Sequence, residues 1–163
     1  VVAVVNGFSE QIFAGAVKRS VIEEKTEPSV FHIEDNDGDA YLVVKALSNS
    51  GHRMRIGRSA DGKDAKMTLE AMRDGVDEIP SLILLDLKLP FISGFELLKF
   101  VRSEPKLAPI PVVIFTSSDE QKDIDAANEA GCNDYYVKPI DYGVFRSTLR
   151  DICDKYLEPA LAV

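Results

Sequence analysis

The sequence predicts an α/β fold in which five βα units build a doubly wound, five-stranded parallel sheet. Two observations carry that expectation. From Val30 onward, short apolar runs alternate with stretches whose apolar residues recur at helical spacing. Within that pattern, Leu82-Ile83-Leu84-Leu85 is apolar without alternation, as a parallel strand covered on both faces must be. A length of 163 residues suits one such core.

The elements follow in order. Val30-Phe31-His32-Ile33 is the first strand, closed by Glu34 and Asp35. Asp37 is placed to cap a first helix whose face is Ala40, Val43, Val44 and Ala46/Leu47, with Gly51 as its stop. A weak strand over residues 54–59 leads to a second helix face of Ala65, Leu69, Met72 and Val76. After the central strand, Pro90 and Gly94 punctuate a loop, and Phe95, Leu98 and Val101 open a third helix that stops near Pro105. Residues 111–115 form the fourth strand, ending at Thr116-Ser117-Ser118. The fourth helix, from about Asp119, has a thin apolar stripe of Ile124, Ala127 and Ala130 and ends at Gly131. Residues 134–137 are the fifth strand, followed by Lys138-Pro139, and Phe145, Leu149, Ile152 and Tyr156 mark a last helix with a core-facing or partner-facing seam. Ahead of this unit, Ser9 with Phe8 and Phe13 predicts an extra N-terminal helix over residues 9–24.

Composition excludes several roles. With 45% hydrophobic and 28% charged residues, the chain is neither disordered nor repetitive. Nineteen basic against 27 acidic residues give a net charge of -8, the wrong sign for neutralising nucleic acid or anionic lipid. No apolar run approaches the roughly 20 residues needed to cross a bilayer. Cys132 and Cys153 are far apart with no zinc-binding partners and read as reduced packing thiols, consistent with a cytoplasmic location. The chain starts at Val1 rather than Met, which leaves open a larger protein.

Chemistry in an open parallel sheet gathers at the carboxyl ends of the strands. Here those ends supply Glu34, Asp35, Asp86, Thr116 and Lys138. Three carboxylates brought together repel unless a cation lies among them, and an all-oxygen set suits Mg2+. With the ion bound, Asp86 can attack phosphorus, while a lysine amine and a threonine hydroxyl can bind the remaining phosphoryl oxygens.

Taken jointly, Ile33-Glu34-Asp35-Asn36, Leu84-Leu85-Asp86-Leu87-Lys88-Leu89-Pro90 with Gly94 beyond it, Phe115-Thr116-Ser117, and Tyr135-Tyr136-Val137-Lys138-Pro139 resemble the receiver domain of bacterial two-component response regulators, a CheY-like, flavodoxin-like fold. The resemblance covers residues 30–157, close to four fifths of the chain, with residues 1–29 as a helical extension or linker and 158–163 as a tail. The Glu-Asp-Asn start and the Thr-Ser-Ser further resemble single-domain regulators serving phytochrome-type histidine kinases. The resemblance implies Asp86 as phosphoacceptor, with Mg2+ held by Glu34, Asp35, Asp86 and the backbone carbonyl of Lys88. It implies that Thr116 binds the phosphoryl group and reorients, that Tyr135 is the switch aromatic, and that Lys138 pairs with Asp86 across a cis bond to Pro139. Lys88 and Ser118 occupy positions that vary with dephosphorylation lifetime, and Ser117 stands where the family prefers a very small residue.

The implied partners are a sensor histidine kinase and a second copy of the chain, met through the surface of the fourth helix, fifth strand and fifth helix or through the N-terminal helix. No direct nucleic-acid or membrane contact is expected, nor enzymatic activity beyond self-catalysed phosphorylation and dephosphorylation. Two alternatives stand beside this: a receiver fragment of a larger regulator or hybrid kinase, and a Mg2+-dependent phosphohydrolase with an aspartyl nucleophile. The second calls for an acid/base Asp two residues after Asp86, where Lys88 stands.

Overall fold

The computed structural model describes residues 27–157. Its elements in chain order are β1 (Ser29–Ile33), α1 (Asp37–Ser48), β2 (Arg55–Ser59), α2 (Gly62–Arg73), β3 (Leu82–Leu85), α3 (Gly94–Ser103), β4 (Val112–Thr116), α4 (Gln121–Glu129), β5 (Asp134–Val137) and α5 (Tyr142–Tyr156). All strand pairs are parallel, in the order β2-β1-β3-β4-β5. The doubly wound sheet is therefore as expected, and its strand order reverses between β1 and β3. The N-terminal helix over residues 9–24 lies outside the described residues. No helix among the described residues is long and apolar enough to cross a membrane.

The absence of alternation in the central strands has its cause in two cores. Phe31, Ile33, Ile83, Leu85, Val112 and Ile114 face α2, α3 and α4, where Leu69, Leu97, Leu98 and Val101 cover them. Val30, Leu82, Leu84, Val113 and Phe115 face α1 and α5, where Val43, Leu47, Phe145, Leu149 and Ile152 cover them. Phe115 and Phe145 meet edge to face at 5.1 Å. The α5 seam is thus core-facing; Phe145, Leu149 and Ile152 are buried and unavailable to a second chain. A dimer on that surface has to use other residues.

Several boundaries differ from the sequence expectation for local reasons. Asn36, not Asp37, caps α1, its Oδ1 accepting the Asp39 N–H at 2.9 Å. The two are near equals as caps, so tertiary placement of the β1–α1 turn decides. Helix α2 ends at Arg73, and Val76 beyond it is exposed rather than on the helix face. Helix α4 starts at Gln121 without a side-chain cap, and of its expected stripe only Ala127 is buried. Helix α3 starts with a reciprocal Ser93–Glu96 capping box. Gly94 in its first turn lies against the β3 exit: a Cβ there would be 2.3 Å from the Asp86 carbonyl oxygen.

Candidate functional site

The reversal of strand order juxtaposes the carboxyl ends of β1 and β3. Ile33 pairs with Leu85, so Glu34 and Asp86 leave the sheet side by side, and the Asp86 N–H donates to the Ile33 carbonyl at 3.0 Å. On the other side, Thr116 ends β4, and the Lys138 N–H just past β5 donates to the Thr116 carbonyl at 2.7 Å. Four strand ends therefore aim side chains from Glu34, Asp86, Thr116 and Lys138 into one place.

The buried Asp86 carboxylate is held from two directions. Its Oδ1 accepts from Thr116 Oγ1 at 2.6 Å and from the Lys88 N–H at 3.3 Å, and its Oδ2 accepts from Lys138 Nζ at 3.2 Å. Glu34 is 0% exposed, with Oε1 accepting the Asn36 N–H at 3.0 Å and Oε2 accepting from Lys138 Nζ at 2.5 Å. Asp35 is exposed. One carboxylate oxygen from each of Glu34, Asp35 and Asp86 lies within 4.8 Å of the others. Burial raises the Glu34 pKa against the opposing hydrogen bond and charge of Lys138. For Lys138, burial acts downward, but hydrogen bonds to Asp39 and Glu34 and the nearby charges of Asp86 and Glu34 prevail, so its pKa is raised and it stays protonated.

This donor set fits a hard divalent cation. It offers only oxygen atoms, and two of its three carboxylates, Glu34 and Asp86, share the one ammonium of Lys138. The turn after Asp86 is fastened by the Lys88 N–H bond, which keeps the Lys88 backbone beside the carboxylate.

The structure also corrects and extends the sequence reading. No peptide bond among the described residues is cis, so Lys138–Pro139 is trans, contrary to expectation. Trans is favoured even before proline, and Lys138 reaches its partners without the other isomer. Tyr135 donates its hydroxyl to the Ser118 carbonyl at 2.9 Å, two residues past Thr116. Ser118 Oγ in turn donates to Asp123 Oδ2 at 2.5 Å, tying the loop to α4.

Two residues at the site carried no motif. Asp39 Oδ2 accepts from Lys138 Nζ at 2.8 Å; its only signal was an acidic residue in the first turn of a helix that follows the acidic pair. Arg58, near the end of β2, donates through Nε and a terminal nitrogen to the Glu34 carbonyl at 3.0 and 2.9 Å and to Asp37 Oδ1 at 2.8 Å. It clamps the turn bearing the acidic pair. A cation near the end of the strand beside that pair was its only trace in the sequence.

The family model for the response regulator receiver domain matches residues 30–150. Among curated proteins, the probable methanogenesis regulatory protein FilR2 of Methanothrix harundinacea (strain 6Ac) is 31% identical over 137 residues, 84% of this chain and 88% of that one. Among solved structures, the phosphorylated cyanobacterial phytochrome response regulator RcpA is similar at a TM-score of 0.71 and 31% identity, covering 81% of this chain and 95% of that one. The Mn2+-bound response regulator Rcp1 is similar at a TM-score of 0.73 and 29% identity, covering 83% of this chain and 98% of that one. With the motifs at four strand ends, the strand order and these likenesses in agreement, the chain belongs to the receiver-domain family of two-component response regulators.

Proposed function

We propose that Asp86 accepts a phosphoryl group from a histidine kinase in a cytoplasmic two-component relay, and that the chain signals by changing protein contacts rather than by turning over a substrate. The observation that supports this most is the buried Asp86 carboxylate, flanked by Glu34 and Asp35 on one side and by Lys138 and Thr116 on the other. In the reaction, an electron pair on an Asp86 oxygen forms the new O–P bond as the P–N bond of the donor phosphohistidine breaks and the nitrogen keeps its pair. A bound Mg2+ would offset the charge of the phosphoryl oxygens, and Glu34, Asp35, Asp86 and the Lys88 carbonyl are the groups that would hold it. Phosphorylation brings about -1.5 to -2 charges into a site already rich in carboxylates. Lys138 and Thr116 donate to the new oxygens, which draws Thr116 off Asp86 Oδ1. Through Ser118, whose carbonyl accepts from Tyr135 and whose hydroxyl holds Asp123, that shift is passed to β5 and α4.

The test is incubation with acetyl phosphate, with and without Mg2+, followed by intact mass measurement. One phosphoryl group on the native protein, lost on Mg2+ removal and absent from Asp86→Asn, is the expected result. Equal labelling of Asp86→Asn would contradict the assignment.

A further inference from the structure

The ammonium of Lys138 has three hydrogens to donate, and three carboxylates take them: Glu34 at 2.5 Å, Asp39 at 2.8 Å and Asp86 at 3.2 Å. The Asp86 bond is the longest of the three, so the ammonium lies nearer to Glu34 and Asp39, and a phosphoryl group on Asp86 that draws it closer has to loosen one of those two bonds. Glu34 is a poor choice: it is 0% exposed, its other oxygen is already bonded to Asn36, and losing Lys138 would leave a buried charge unpaired. Asp39 differs. Its side chain is 36% exposed, so water can take the place of the ammonium there, as it cannot at Glu34. It is also well supported where it stands, in the first turn of α1 with its N–H fixed by Asn36, at the helix end that favours a carboxylate.

We infer that Asp39 is a positioning residue that acts through Lys138, holding the ammonium back from Asp86 and so lowering the fraction of the chain that is phosphorylated. The inference rests on Asp86 being the phosphoacceptor. Phosphorylation then exchanges the Asp39–Lys138 bond for a phosphoryl–Lys138 bond, and Asp39 turns to solvent. Because the exchanged bond is charge-assisted on both sides, the contact opposes phosphorylation by a factor on the order of ten.

The experiment measures the steady-state ratio of phosphorylated to unphosphorylated protein with acetyl phosphate at saturating Mg2+. It compares native protein, Asp39→Asn, Asp39→Glu, and Lys138→Gln with and without Asp39→Asn, using Asp86→Asn as control. The expected result is a rise of about tenfold in Asp39→Asn, a near-native ratio in Asp39→Glu, and no effect of Asp39→Asn in the Lys138→Gln background. In the metal-free protein, the Lys138 ammonium protons exchange faster in Asp39→Asn. An unchanged or lower ratio in Asp39→Asn overturns the inference, as does an equal rise in the Lys138→Gln background, which would mean Asp39 acts on the phosphoryl charge directly. Where Lys138→Gln takes no label, ammonium exchange decides, and an unchanged rate in Asp39→Asn overturns the inference. Failure of the underlying reading is distinct: native protein would take no phosphoryl group, or Asp86→Asn would take as much.

Discussion

Replacing Lys138 by methionine should expose how much of the domain's stability depends on this one cation, and how that dependence varies with pH. The substitution keeps an unbranched side chain and deletes the charge that compensates Glu34, Asp39 and Asp86. Glu34 decides the magnitude, because it is 0% exposed and cannot turn to water. Removing one partner of a buried pair costs about 3–5 kcal/mol at neutral pH. For a domain of this size that is a fall in Tm on the order of 10–20 °C. The cost is not constant with pH. Burial already raises the Glu34 pKa above its ordinary 4.5, and the hydrogen bond and charge of Lys138 are the main restraints on it. Without them the folded-state pKa climbs further above the unfolded value. The folded variant then binds a proton more tightly than its unfolded chain. Its stability is greatest on the acid side and falls as pH rises from 4.5, by up to about 1.4 kcal/mol per pH unit for one proton. In native protein the raised Lys138 pKa contributes stability that is fully present throughout the range to be scanned and is lost only as pH rises above 10.5. Thermal unfolding followed by circular dichroism at pH 5 and pH 8 should therefore show a small gap between native and Lys138→Met at the lower pH and a wide one at the higher. A gap that is equal at both, or narrower at pH 8, would refute the argument that Lys138 compensates a buried carboxylate.

Three further predictions concern the surrounding frame. His32 is 1% exposed, and burial first, then the charges of Lys138 and Arg58, pull its pKa down to about 3, against Asp86 and Asp39. As pH falls from 6.5 toward 3 the unfolded chain takes this proton first, so native stability drops in that window; denaturant titrations should show His32→Leu gaining on native protein by up to about 1.4 kcal/mol per pH unit there. Gly94→Ala would set a Cβ 2.3 Å from the Asp86 carbonyl oxygen and 2.7 Å from Leu87 Cα, so it should cost about 1–3 kcal/mol in urea unfolding and slow acetyl phosphate labelling by displacing the Asp86 turn. Arg102 donates to the carbonyls of Ala108, Ile110 and Gly131 and to Asn133 Oδ1, joining α3 to the starts of β4 and β5; Arg102→Met should lower the unfolding free energy by about 2–3 kcal/mol, read as a lower urea midpoint at unchanged m-value, with phosphorylation intact.

Much of this architecture was legible in the residues because it depends on periodicity and punctuation. Leu82-Ile83-Leu84-Leu85 has the unalternating pattern expected of a covered strand, and it is one, buried throughout. The gathering of Glu34, Asp86, Thr116 and Lys138 follows from strand order, since each stands at a carboxyl end. What could not be read depends on side-chain direction across elements distant in sequence. Asp39 and Lys138 are 99 residues apart and meet only because β5 and α1 flank the same crevice. Arg58 is similar: it lies on an edge strand whose alternation is weak, and its use as a clamp depends on β2 pairing with β1. The α5 seam shows another limit. Its spacing identified an apolar face but not its occupant, and the sheet takes it through Phe145, Leu149 and Ile152. The choice between Asn36 and Asp37 as cap, and between trans and cis at Pro139, rests on differences of about 1 kcal/mol or less, which tertiary contacts override.

The most direct test of the account locates the phosphoryl group itself. After reaction with acetyl phosphate and Mg2+, borohydride reduction converts an aspartyl phosphate to homoserine, and peptide mass spectrometry finds the altered residue. Homoserine is expected at position 86 in native protein and nowhere else in the chain. Modification at Glu34, Asp35 or Asp39, or label that survives Asp86→Asn, would contradict it.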